Sequence, residues 1–130
     1  MTDRELINIA VEAAGEAYAP YSGQKVGAAL ECADGVVFTG CNVENASYGL
    51  TVCAERTAVF KAVSEGRRAF LRLAVYTAGE EYCMPCGACR QVLQEFAPEL
   101  EVLSARGDGR YVSYALRELL PHPFTLKTGE

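Results

Sequence analysis

Cys53, Cys86 and Cys89 have the residue type and spacing to grip one metal ion, and Glu55 stands two residues beyond the first of them. Cys86 and Cys89 are three apart, so in a first helical turn both sulfurs lie on one face. Their segments, Cys53-Ala54-Glu55-Arg56 and Pro85-Cys86-Gly87-Ala88-Cys89-Arg90, both read as helix starts. A helix N-terminus offers unpaired N–H groups and the positive end of the macrodipole, which favour a thiolate. Three thiolates around one Zn²⁺ leave a fourth tetrahedral position for water, as catalytic zinc sites do. Zinc lowers the pKa of that water to about 7. Glu55, placed beside the metal, then suits proton transfer between water and a substrate.

Three thiolates and one divalent ion sum to a negative charge, which opposes loss of a proton from the water. Arg56 lies one turn after Cys53, and Arg90 adjoins Cys89. Either can hydrogen-bond a ligand sulfur and offset that charge, or serve only as a solvated helix charge. Cys83 complicates the pattern. Cys83-x-x-Cys86-x-x-Cys89 has the form of part of an iron–sulfur run. A closed structural zinc site with Cys83 as fourth ligand is a further alternative, and it leaves Glu55 without a task. Against both, no cysteine follows Cys89, and Pro85 directly precedes Cys86. Cys32 and Cys41, in strand-like runs, fit small core hydrophobes. His122, the sole histidine, sits between two prolines and reads as a surface or interface residue.

The elements that must position these groups alternate. Thr2 with Glu5 has the form of a capping box, and apolar residues from Leu6 to Ala17 keep helical spacing, predicting a helix near 3–17. Runs at 26–32 and 36–41 flank Asp34-Gly35, a hairpin signal. Residues 42–52 read as a loop. A second helix is predicted from Cys53 to Glu65, ended by Gly66. A strand at 71–77 leads to a third helix from about Cys86 to Phe96. Strands at 101–105 and 111–113 flank Gly107-Asp108-Gly109, and a short helix closes at 115–120. This order predicts one α/β domain over residues 1–130: a three-layer α/β/α sandwich with a mixed five-stranded sheet and parallel crossovers after the hairpin.

Half of the residues are hydrophobic and 22% are charged, so a core forms without disulfide staples. The net charge of -5, with its basic residues scattered, argues against a nucleic-acid polymer as partner. No stretch approaches the ~20 apolar residues of a membrane span. The N-terminal residues carry both signs of charge and no apolar run follows. A cytoplasmic protein with reduced thiols is the expectation, and closely spaced cysteines there point to metal or catalysis.

A Cys or His followed two residues later by Glu, then Pro-Cys-x-x-Cys, is the signature of zinc deaminases. Across nearly its whole length the chain resembles the small homotetrameric cytidine deaminases. Tyr18-Ala19-Pro20-Tyr21-Ser22, Val26-Gly27-Ala28-Ala29-Leu30 and Gly40-Cys41-Asn42-Val43-Glu44-Asn45-Ala46-Ser47-Tyr48 carry the likeness, together with the two cysteine segments and Leu119-Leu120-Pro121. The resemblance implies one Zn²⁺ per chain and hydrolysis of cytidine or deoxycytidine to uridine or deoxyuridine, with ammonia released, in pyrimidine salvage. It implies that Asn42 and Glu44 hold the ribose 3′-hydroxyl, that the Ala54 carbonyl accepts from the amine, and that Ala46, Tyr48 and Phe124 complete sites in neighbouring subunits of a tetramer. The chain departs from the pattern at Gln24, where the family has a phenylalanine against the base. That leaves a related aminonucleoside, such as a blasticidin S-like compound or a modified cytosine nucleoside, as an alternative substrate. A zinc-stabilised binding module without activity is the remaining alternative.

Overall fold

The computed structural model describes residues 1–128. Helix α1 spans Asp3–Ala14. Its start is the predicted capping box: Thr2 Oγ1 accepts from the Glu5 N–H at 3.1 Å, and Glu5 accepts from the Thr2 N–H at 3.2 Å. The predicted continuation to residue 17 does not form. Gly15 ends the helix, and the chain turns so that the Tyr18 N–H donates to the Asn42 carbonyl at 3.0 Å. The Tyr18 carbonyl accepts from the Glu44 N–H at 2.9 Å. Tertiary hydrogen bonds outweigh the alanine-rich helical pattern here, and they pin the segment that carries Asn42 and Glu44.

The strands are β1 (Val26–Cys32), β2 (Val37–Cys41), β3 (Phe70–Thr77), β4 (Glu101–Ala105) and β5 (Tyr111–Ala115). They form one mixed sheet in the order β2-β1-β3-β4-β5. β1 is antiparallel to both neighbours, β3 and β4 are parallel, and β5 returns antiparallel through the Gly107-Asp108-Gly109 turn. Helix α2 (Ala54–Ser64) crosses from β2 to β3, and α3 (Gly87–Phe96) from β3 to β4. The short α4 (Leu116–Leu119) follows β5. The boundaries differ from the sequence reading by a residue or two, with Cys53 and Cys86 just outside the helices rather than within them.

Alternation along the strands builds the three layers. Ala28, Leu30, Leu73 and Val102 face Ala58, Val59 and Leu93 of the α2 and α3 layer. Ala29, Ala74 and Leu103 face Leu6, Ile7 and Ala10 of α1 on the opposite side. The two helices that begin at the cysteine segments, α2 and α3, therefore stack on one sheet face.

That stacking is close. A Cβ built on Gly40 of β2 would lie 2.2 Å from the Ala54 carbonyl oxygen and 2.6 Å from the Ala58 nitrogen. Only a glycine lets α2 sit so near the sheet, and α2 carries Cys53 and Glu55 at its start. Gly40→Ala is expected to cost about 1–3 kcal/mol of stability, read from urea unfolding, because backbone rather than a flexible side chain must move. It should also lower zinc bound per chain. An unchanged unfolding midpoint contradicts the close approach.

Candidate active site

Cys53 is the residue before α2, and Cys86 the residue before α3; Cys89 lies in the first turn of α3. Neither flanking cysteine spends its side chain on capping its helix. The three sulfurs instead converge. Cys53 Sγ and Cys86 Sγ are 3.8 Å apart, Cys86 Sγ and Cys89 Sγ 3.4 Å, and all three lie within 4.8 Å of one another. Zn–S bonds of ~2.3 Å in a tetrahedron separate sulfurs by about 3.8 Å, so this donor set fits zinc. Cys53, Cys86 and Cys89 are the one such cluster of metal-ligating side chains among the described residues, and neither Cys83 nor His122 joins it. The four-ligand alternative therefore has no fourth ligand there.

The two arginines differ. Arg56 Nη2 donates to Cys53 Sγ at 3.3 Å, while its Nε is buried without a partner. Arg90 does not reach a sulfur. Its Nε donates to the Pro85 carbonyl and its Nη1 to the Leu119 carbonyl, both at 2.8 Å. It braces the backbone ahead of Cys86 against the end of α4, because that geometry satisfies two carbonyls that a solvated side chain would leave to water.

The electrostatics follow from crowding and burial. A hydrogen bond from Cys89 first, aided by Arg56 against the cost of burial, brings the Cys53 thiol down to about 5. The same hydrogen bond, seen from its donor, and burial push the Cys89 thiol up. Cys83 is pushed up to about 12, by burial first and then by the neighbouring Glu55 and Cys53 charges, so it remains a neutral thiol. Cys32, fully buried on β1, is likewise held up by burial, as a core thiol should be.

Glu55, second residue of α2, is only 4% exposed. It lines a hollow of about 180 Å³ with Asn42, Thr51, Cys53, Cys83 and Met84 among its walls. Burial raises its carboxyl to about 7, with the Cys53 charge acting in the same direction. A carboxyl poised near neutrality beside three convergent sulfurs can both take and return a proton.

Asn42 borders the same hollow, but its amide is partly engaged. Nδ2 donates to the Gln24 carbonyl and Oδ1 accepts from the Val26 N–H, each at 2.9 Å. Glu44 lies in an adjoining hollow of about 220 Å³ with Tyr21, Ser22, Asn45, Tyr48 and Thr51. Thr51 is the wall common to both. The Glu44 carboxylate accepts from the Tyr21 N–H at 3.0 Å, the Ser22 N–H at 3.1 Å and the Ser22 hydroxyl. The Ser22 hydroxyl, with these N–H groups, holds it below the usual carboxylate range. Gln24 faces neither hollow. It lines a third, of about 320 Å³, whose walls Cys83 and Met84 share with that of Glu55.

Ala54 borders the Glu55 hollow at the start of α2, with its carbonyl oxygen near Gly40 of β2. Tyr48, though 77% exposed, lines the Glu44 hollow, while Ala46 and Phe124 are exposed and border neither hollow. Sequence reasoning missed Ser22, Thr51 and Met84. Thr51 sits two residues before Cys53, and that adjacency was its only signal.

Comparison with known proteins decides the family. Residues 1–104 match the cytidine and deoxycytidylate deaminase zinc-binding region. The chain belongs to that family. It is 50% identical over 125 residues to a cytidine deaminase of Halalkalibacterium halodurans, covering 95% of each chain. It is 45% identical over 128 residues to one of Sporosarcina psychrophila, covering 96% of this chain and 93% of that one. A crystal structure of cytidine deaminase from Burkholderia pseudomallei superposes with a TM-score of 0.93 at 50% identity, over 95% of this chain and 100% of that one. The family's zinc-binding region covers all three converging cysteines and Glu55. No helix of the described residues is long and apolar enough to cross a membrane.

The buried carboxyl makes a pH prediction for chelator-treated protein. Its folded pKa, about 7, lies above the ordinary 4.5. The stability linked to it is therefore full below pH 4.5 and is lost as pH rises through 7. Glu55→Gln escapes that loss. Relative to the native chain, the variant should gain about 3 kcal/mol between those limits, measured by urea unfolding at several pH values. A difference independent of pH rules out the raised carboxyl.

Proposed function

We propose that this chain is a zinc-dependent hydrolase that deaminates cytidine and deoxycytidine to uridine and deoxyuridine, releasing ammonia, in pyrimidine salvage. One observation carries the reading: three sulfurs lie at zinc-bridging distances, and two of them, Cys53 and Cys86, border a hollow in which Glu55 is buried and poised near neutrality. Membership of the family and the names of its relatives support the substrate class.

Cys53, Cys86 and Cys89 hold the metal, and Arg56 offsets their charge through its bond to Cys53. Zinc in that site supplies Lewis acidity, which makes water acidic near neutral pH. Glu55 takes the proton of the attacking water at a carboxylate oxygen and delivers it to ring N3, which makes C4 electrophilic. After addition at C4, Glu55 takes the remaining proton from the added hydroxyl and passes it to the amino group, so that the C4–N bond breaks, ammonia leaves and the C4 carbonyl forms. The Ala54 carbonyl, at the border of the hollow, accepts from the amine of the base. The two hollows that meet at Thr51 divide a nucleoside naturally, base beside Glu55 and sugar beside Glu44. Asn42 and Glu44 then hold the ribose hydroxyl, using the Asn42 N–H and the carboxylate lone pairs that the chain leaves over.

The site is completed by other copies of the chain in a homotetramer. Ala46, Tyr48 and Phe124 lie exposed here and are assigned to neighbouring sites. Three free thiols must stay reduced to bind metal, which suits the cytoplasm. The nucleoside is the small-molecule partner, and the acidic surface suits no nucleic-acid polymer. Gln24, beside the hollow that shares Cys83 and Met84, favours a second reading in which a related aminonucleoside, a blasticidin S-like compound or a modified cytosine nucleoside, is the substrate.

Glu55→Gln should keep one zinc per chain by elemental analysis yet lose cytidine turnover by a factor on the order of 10² to 10⁴, the usual weight of a proton-transferring group. Full turnover in that variant removes Glu55 from the mechanism. Cys86→Ser should lose zinc on dialysis; undiminished metal content contradicts its place in the cluster. A panel of cytidine, deoxycytidine and other aminonucleosides, followed by ultraviolet loss and ammonia release, separates the two substrate readings.

A further inference from the structure

The segment after α4 has little apolar burial of its own. Phe124 and Leu126 expose 70% and 79% of their surface, and Pro121 and Pro123 on either side of His122 have no N–H to donate. Yet the Phe124 backbone is held twice by one side chain. Gln91 Nε2 donates to the Phe124 carbonyl at 2.8 Å, and the Phe124 N–H donates to Gln91 Oε1 at 3.2 Å. A single amide thus acts as a neighbouring strand would. The residue before it, Arg90, ties the Leu119 carbonyl at the end of α4 to the Pro85 carbonyl ahead of Cys86. Arg90 and Gln91 directly follow Cys89 on α3. Consecutive residues of the cysteine-bearing helix therefore fasten the chain at Leu119, where the strap begins, and at Phe124 within it.

An aromatic ring left in water on a fastened backbone gains nothing within this chain. Such a residue is set for a surface that another molecule provides. We infer that Gln91 is a positioning residue, which docks the strap on α3 so that the Phe124 ring is aligned with the nucleoside site of a second copy of the chain. This rests on the reading above that Phe124 completes a neighbouring site. Gln91 touches no reacting atom. Its effect runs through the fraction of time that the strap is correctly placed, and apparent affinity falls with that fraction. The proton transfers of Glu55 do not depend on it.

The test compares Gln91→Ala, Gln91→Glu, Phe124→Ala and the Gln91→Ala/Phe124→Ala double variant in the zinc-loaded protein. The readouts are KM and kcat for cytidine, zinc per chain and hydrogen exchange at the Phe124 amide. Gln91→Ala should raise KM about fivefold, the effect of losing a pair of exposed hydrogen bonds, with kcat and zinc unchanged. Exchange at Phe124 should quicken. Gln91→Glu keeps the acceptor but loses the donor, and should fall between. The double variant should be no worse than Phe124→Ala alone, since both changes remove one contribution. Additive losses, or a normal KM in Gln91→Ala while Phe124→Ala raises it, overturn the assignment of Gln91. A normal KM in Phe124→Ala instead overturns the underlying reading of Phe124, and the positioning role with it.

Discussion

Three sulfur anions within 4.8 Å of one another repel unless a cation lies among them. Much of this structure answers that constraint. Two helix N-termini point their partial positive charge at one spot, and Arg56 adds a full charge at Cys53. Where those contributions fall short, protons fill in: Cys53 becomes the anion and Cys89 keeps its hydrogen to bond it. A divalent metal satisfies the same three atoms with stronger bonds, so a cluster strained for thiols is well suited to zinc.

The constraint reaches back into the sheet. Two helices can bring their starts together only if both lie on one face, and β3 followed by parallel β4 places α3 beside α2 there. The separation is set at Gly40, where α2 rests on bare backbone. The same closeness that brings Cys53 to Cys86 also buries Glu55, and burial is what lifts its carboxyl toward neutrality. Metal cluster and poised carboxyl are therefore consequences of one packing arrangement. Arg90 extends it outward by joining the turn before Cys86 to α4.

Away from the cluster the logic reverses. Glu55 is buried at its hollow, whereas the hollow around Glu44 is lined mainly by exposed side chains, Tyr48 among them.

Much of this was legible from residue order. Helix and strand alternation, the capping box at Thr2, the hairpin at Asp34-Gly35 and the two cysteine segments all act over a few residues, where spacing and backbone preference decide the outcome. The family likeness likewise rests on contiguous motifs. Spatial relations were not legible. Nothing in the order of residues showed that α1 would stop at Gly15, since the bonds that redirect the chain come from Asn42 and Glu44, far along it. Nor did adjacency to Cys89 reveal that Arg90 turns away toward Leu119, or the residues around Gly40 that α2 would rest on its backbone. Residue type and spacing determined which atoms could bind metal and carry a proton. Only the packed fold decided which of them meet, because distance, burial and the pKa values that follow are properties of contacts between segments that the chain itself keeps apart.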